Sequence, residues 1–104
     1  MIELILYSKS GCHLCEGLQE KLAQVTYPII RQLEVRDITT REDWFEAYQY
    51  EIPVLCYRTQ EGEEKVLPRL SPRAPVNKLE ALLSQYASQY VAIHPSKEAV
   101  SELE

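Results

Sequence analysis

A change of hydrophobic period across a single short turn constrains this chain more than any other feature. Ile2 to Tyr7 is an apolar run broken only by Glu3, and it reads as a short buried strand. Ser8 to Gly11 is a polar turn. From Cys12 to about Val25, Leu14, Leu18, Leu22 and Val25 recur at helical spacing, with Glu16, Gln19, Glu20 and Lys21 between them. A strand that feeds directly into an amphipathic helix is the opening of a βαβ unit, which points to an α/β fold.

The rest of the chain fits that opening. Pro28 breaks the helical pattern. Ile29 to Asp37 reads as a second strand, where Leu33 and Val35 alternate with Glu34 and Arg36 and predict one wet face. A helix is expected from Arg41 to about Tyr50, capped by Thr39 or Thr40. Glu42 and Asp43 suit its positive end, and Trp44, Phe45 and Tyr48 form its apolar side. Ile52 to Tyr57 is a third strand, entered through Pro53. Thr59 to Glu63 is a turn and Lys65 to Leu67 a short fourth strand. Pro68, Pro72 and Pro75 mark a loop. A last helix runs from Pro75 to about Tyr90, with Val76, Leu79, Leu82, Leu83, Tyr86 and Tyr90 on one face. This order predicts a small four-stranded mixed sheet with helices packed on its faces. It forms one domain over 1–92, followed by a tail over 93–104.

Composition removes several classes of function. The net charge of −5 lacks the basic footprint of a nucleic-acid binder. No apolar run approaches the ~20 residues of a membrane span. Met1-Ile2-Glu3 has no basic start or long apolar stretch, so a secretory leader is not expected and a cytoplasmic address is. A monomer is expected. The three cysteines are an odd number, two of them in Cys12-His13-Leu14-Cys15 and the third at Cys56. In a reducing compartment that pattern indicates redox chemistry or metal binding, not a structural staple.

The Cys-x-x-Cys pair stands where a helix begins. Free N–H groups and the positive end of the helix dipole stabilise a thiolate there, and the thiolate is the nucleophile. Cys12 is therefore expected to attack, and Cys15, one turn inside the helix, to resolve the mixed disulfide. His13, when protonated, adds to the thiolate's stability. A zinc site needs four ligands, and beyond the pair only Cys56, His13 and His94 remain, so no metal is assigned. Cys56 is expected to be a core residue.

Tyr7-Ser8-Lys9-Ser10-Gly11-Cys12-His13-Leu14-Cys15 resembles the strand–loop–helix of glutaredoxins and of the short glutaredoxin-like proteins of the thioredoxin superfamily. Ile52-Pro53-Val54 resembles the cis-proline segment of that superfamily. The resemblance covers roughly residues 1 to 90. It implies a thioredoxin-like fold and a thiol–disulfide oxidoreductase that reduces protein disulfides or glutathione mixed disulfides. It also implies a cis Ile52–Pro53 bond against the dithiol, with the Ile52 backbone groups free to pair with substrate. Lys9 matches a glutathione-binding position. The implied partners are a disulfide-containing protein or low-molecular-weight thiol and an electron donor. No bound organic cofactor is expected, and glutathione would enter as a co-substrate.

Two departures stand out. His13 replaces the usual proline, and Leu67-Pro68-Arg69-Leu70-Ser71-Pro72 replaces a Gly-Gly turn that presents backbone N–H groups. Weak glutathione handling is expected for that reason. The contrasting expectation is a module that holds a peptide, a metal or an iron–sulfur cluster in the same groove without turnover.

Overall fold

A computed structural model gives the fold of the chain and describes residues 1–93. Strand β1 (Ile2–Ser8) leads into helix α1 (His13–Ala23) and strand β2 (Ile30–Asp37). A 3-10 turn (Ile38–Thr40) and helix α2 (Glu42–Tyr48) follow. Strands β3 (Val54–Arg58) and β4 (Glu64–Val66) and helix α3 (Val76–Ile93) complete the order. The sheet order is β2-β1-β3-β4, with β1 and β2 parallel and the other pairs antiparallel. The architecture is the expected α/β one, a four-stranded mixed sheet with three helices. Ile93, expected to open the tail, still belongs to α3; the rest of the expected tail and the side chain of Tyr90 lie outside the described residues.

The alternation along β1 builds two cores. Ile2 and Leu4 pack on one face with Leu22 of α1 and Leu79, Leu83 and Ala87 of α3. Ile5 and Tyr7 point the other way, into a cluster with Ile38, Val54 and Cys56 that Trp44, Phe45 and Tyr48 of α2 cover. A strand buried on both faces must be apolar nearly throughout, which is why Ile2 to Tyr7 shows no clean alternation.

Three local expectations change. The face of β2 expected to be wet is partly closed, and Val35, expected on the dry face, is 45% exposed on this edge strand. Arg36 Nε donates to Glu34 (2.7 Å), Nη1 donates to the Tyr7 hydroxyl (2.7 Å), and both Nη atoms donate to Glu64 (2.9 Å each). The guanidinium also lies over the Trp44 ring, 5.3 Å from its centroid. Helix α2 is too short to cover this side of the sheet alone. Arg36 and Arg58 extend the cover as a ladder of charges with Glu3, Glu34 and Glu64.

The cap of α2 is also different. Asp37 Oδ1 accepts from the Thr39 N–H (2.9 Å) and the Thr39 hydroxyl (2.7 Å), which draws both threonines into the 3-10 turn. Arg41 takes the N-cap position with no side-chain cap bond. Third, Leu14 belongs to the apolar stripe of α1 by spacing yet is 52% exposed, because it sits before the point where the helix meets the sheet core.

Candidate functional site

The turn that delivers the cysteine pair is built by glycine. The Cys12 N–H donates to the Lys9 carbonyl (3.1 Å), and Gly11 holds φ +84°, a conformation a side chain resists. Cys12 then becomes the N-cap of α1, with extended backbone (φ −86°, ψ 104°), and its Sγ accepts the Cys15 N–H at 3.2 Å. The sulfur occupies the place that a serine or aspartate oxygen takes at an ordinary cap, at the positive end of the helix. Cys12 is half-buried and Cys15 only 1% exposed. Their Cα atoms are 5.3 Å apart and their sulfurs are joined in a disulfide.

Pro53 reaches the same end of the sheet by register. Tyr7 pairs with Val54 across the antiparallel β1–β3 ladder, so the residue before Val54 lies where β1 leaves for the cysteine turn. The Ile52–Pro53 peptide bond is cis, as is Tyr27–Pro28. Pro53, His13 and Leu14 line one groove of about 440 Å³. Ile52 departs from expectation in one respect. Its N–H is not free, because it donates to the Tyr48 carbonyl at the end of α2 (3.1 Å). The helix end claims that donor before the strand begins, and only the Ile52 carbonyl is left for an incoming chain.

The other expected site residues divide. His13 has a side chain 95% exposed, with Nδ1 3.7 Å from Glu16 Oε1, so its positive charge, when present, is shared with a carboxylate. Lys9 is exposed and is not part of the groove wall. It lies near Asp37, whose carboxyl is held below its ordinary value chiefly by the Thr39 hydrogen bonds, with a smaller contribution from Lys9. Cys56 is buried in the α2-side cluster, as expected. Burial pushes its thiol above the ordinary value, Glu64 adds to that, and Arg36 opposes it. Among the described residues, no group of three or more His, Cys, Asp or Glu side chains gathers in a way that could hold a metal ion. His94 lies outside them. No helix among the described residues is long and apolar enough to cross a membrane.

Several residues of the groove carry no local sequence signal. Lys21, apparently a surface lysine of α1, extends Nζ to the Pro72 (2.7 Å) and Ala74 (2.5 Å) carbonyls and holds the proline-rich loop against the helix. Arg69 donates from Nη1 to the Glu51 carbonyl (2.6 Å) and ties the same loop to the entrance of β3. Leu70 and Leu67 come from that loop, and Leu18 and Gly17 from α1.

The sequence matches the pattern of the glutaredoxin-like domain (DUF836) across residues 3–84. A search of curated protein sequences found no match. Among solved structures, a structural-genomics target protein of X. campestris, XcR50, is 29% identical. It aligns over 79% of this chain and 96% of its own, with a TM-score of 0.55. Thioredoxin 1 from the thermophilic eubacterium Thermosipho africanus TCF52B is 11% identical, covers 84% of this chain and 96% of its own, and has a TM-score of 0.57. That second likeness concerns the fold alone. With the match spanning most of the chain and a thioredoxin-type fold that sets the cysteine pair at the head of α1, this protein belongs to the glutaredoxin-like domain family.

Proposed function

We propose that the protein is a cytoplasmic thiol–disulfide oxidoreductase that works through Cys12 and Cys15. The observation that carries this is the Cys12 sulfur at the N-cap of α1, where it accepts a backbone N–H while Cys15 lies buried behind it. In the reduced protein that N–H and the helix dipole favour the Cys12 thiolate over the thiol. The thiolate attacks one sulfur of a substrate disulfide. A Cys12–substrate S–S bond forms, the substrate S–S bond breaks, and the second substrate sulfur leaves as a thiolate. Cys15 then loses its proton and attacks Cys12 Sγ, forming the Cys12–Cys15 disulfide and releasing the first substrate sulfur as a thiolate. Two electrons pass from the cysteine pair to the substrate. An external thiol donor restores the pair. The Ile52 carbonyl, beside Pro53, is an acceptor for a backbone N–H of the bound substrate.

The test is trapping and titration. Cys12→Ser abolishes reduction of a disulfide substrate. Cys15→Ser leaves Cys12 reactive and accumulates a mixed disulfide, seen as an added mass. Cys56→Ser retains activity. Alkylation of the reduced protein at neutral pH labels Cys12 before Cys15 or Cys56. Faster labelling of Cys15, or full activity in Cys12→Ser, overturns the assignment and leaves a binding module. A redox titration against defined glutathione buffers places the pair on the potential scale.

A further inference from the structure

Helix α2 leads directly into the Ile52–Pro53 entrance of β3, yet it lacks the usual anchors of a helix. None of its seven residues is buried, and its N-cap, Arg41, makes no side-chain cap bond. Aromatic rings seat it instead. The ring of Tyr48, the last residue of α2, lies tilted on the Tyr7 ring with centroids 4.3 Å apart. The Trp44 ring meets Tyr7 edge-on at 5.8 Å. Ring contacts of these kinds are favourable beyond the area they bury.

Tyr7 is itself fixed from two directions. It is 5% exposed in β1, and its hydroxyl accepts from Arg36 Nη1 at 2.7 Å. The Arg36 guanidinium is bonded to the Glu34 and Glu64 carboxylates and lies over the Trp44 ring. A planar cation with donors in a fixed fork can hold a hydroxyl, two carboxylates and a ring face at once, which a point charge cannot. At the far side of this cluster, the Tyr48 carbonyl accepts the N–H groups of Glu51 (2.8 Å) and Ile52 (3.1 Å). The Ile52 peptide therefore follows the end of α2. Two residues on, Val54 pairs with Tyr7 in the β1–β3 ladder. Tyr7 thus sets one end of the Ile52–Pro53 segment through its ring and the other through its backbone.

We infer that Arg36 and Tyr7 are positioning residues: through the Tyr48 ring they set the Ile52 carbonyl that receives a backbone N–H of the substrate. This role rests on the oxidoreductase reading for the use of that carbonyl. The cysteine pair is placed separately. The Cys12 sulfur is set by the Lys9–Cys12 turn and the Cys15 N–H, and none of the three cluster residues contributes to those bonds. Loosening the cluster therefore affects how a peptide is held and spares the chemistry of the sulfur.

The experiment uses the whole chain and two substrates, a short peptide disulfide and bis(2-hydroxyethyl) disulfide, which has no backbone N–H to offer. Arg36→Gln and Tyr48→Leu each raise KM for the peptide by about fivefold, the weight of one hydrogen bond, and leave kcat in place. Neither changes KM for the small disulfide. Tyr48→Phe keeps the ring and the parent KM, and Tyr7→Phe, which loses only the hydroxyl, raises KM less than Arg36→Gln. Amide exchange at Ile52 quickens in Arg36→Gln and Tyr48→Leu while β1 stays protected. An equal rise in KM for both substrates reports a general loosening and overturns the inference, as does a parent KM in both Arg36→Gln and Tyr48→Leu. If Arg36→Gln does not fold, Tyr48→Leu and Tyr7→Phe decide by the same comparison. A parent protein that reduces neither disulfide loses the oxidoreductase assignment. Exchange at Ile52 then decides the positioning, which faster exchange in Arg36→Gln or Tyr48→Leu supports and unchanged exchange overturns.

Discussion

At the scale of single residues, the chemistry of the pair depends on one glycine and one cap. Gly11 turns the chain so that Cys12 closes the turn with Lys9 and opens the helix with its sulfur over the Cys15 N–H. A Cβ at Gly11 meets nothing within 4 Å, so the cost of Gly11→Ala is conformational only, about 1–2 kcal/mol for the left-handed region. The substitution is expected to lower the free energy of unfolding by that amount, read from the shift of the denaturant midpoint at constant slope. It is also expected to slow alkylation of reduced Cys12, because the easiest relief is to unwind the turn that places the sulfur at the helix end. A lower midpoint with unchanged Cys12 reactivity would separate the turn from the thiolate.

At the scale of elements, the proline-rich loop is shaped by a helix it does not adjoin in sequence. Lys21 spans from α1 to the Pro72 and Ala74 carbonyls, and these bonds hold the loop wall of the groove. Hydrogen bonds from a charged donor contribute about 1.5–3 kcal/mol when sheltered, and partial exposure reduces this. Lys21→Met keeps most of the stem and removes the ammonium. It is expected to cost about 1 kcal/mol. Amide exchange should rise across residues 67–74, while the amides of β1 stay protected. Uniformly faster exchange across the sheet would show that the loop and the core open together.

At the scale of the whole molecule, the face of the sheet that α2 leaves open is closed by charge. Hydrogen bonds from Arg36, and secondarily Arg58, hold Glu64 below the ordinary carboxylate range, and Glu34 is lowered by the same two arginines. A carboxylate with a depressed folded pKa contributes stability above its unfolded value, near 4.3, and loses it as the pH falls through the folded value. Glu64→Gln is therefore expected to destabilise the protein by about 1 kcal/mol at pH 7, a charge-assisted bond discounted for partial exposure. The gap from the parent should narrow as the pH drops below about 4. Denaturant midpoints of both proteins at several pH values check this. A gap that stays constant with pH would mean that shape, not charge, closes this face.

The sequence by itself determined the order of the strands and main helices, the burial of β1, the position of the cysteine pair at a helix start and the core placement of Cys56. Each of these is written in residues a few positions apart: a period of two or 3.6, a glycine in a turn, a proline before a strand. Tertiary structure alone decided the rest. Thr39 and Thr40 looked like caps for α2 until Asp37 drew them into a 3-10 turn. Ile52 looked free to pair through both backbone groups until the end of α2 claimed its N–H. Leu14 looked like core by spacing and proved to be groove wall. The groove itself depends on contacts from Lys21 to carbonyls 51 and 53 residues away, and the charged face on Arg36 reaching Glu64, 28 residues on. Contacts of that length leave no local pattern, because only the folded sheet brings their partners to one place.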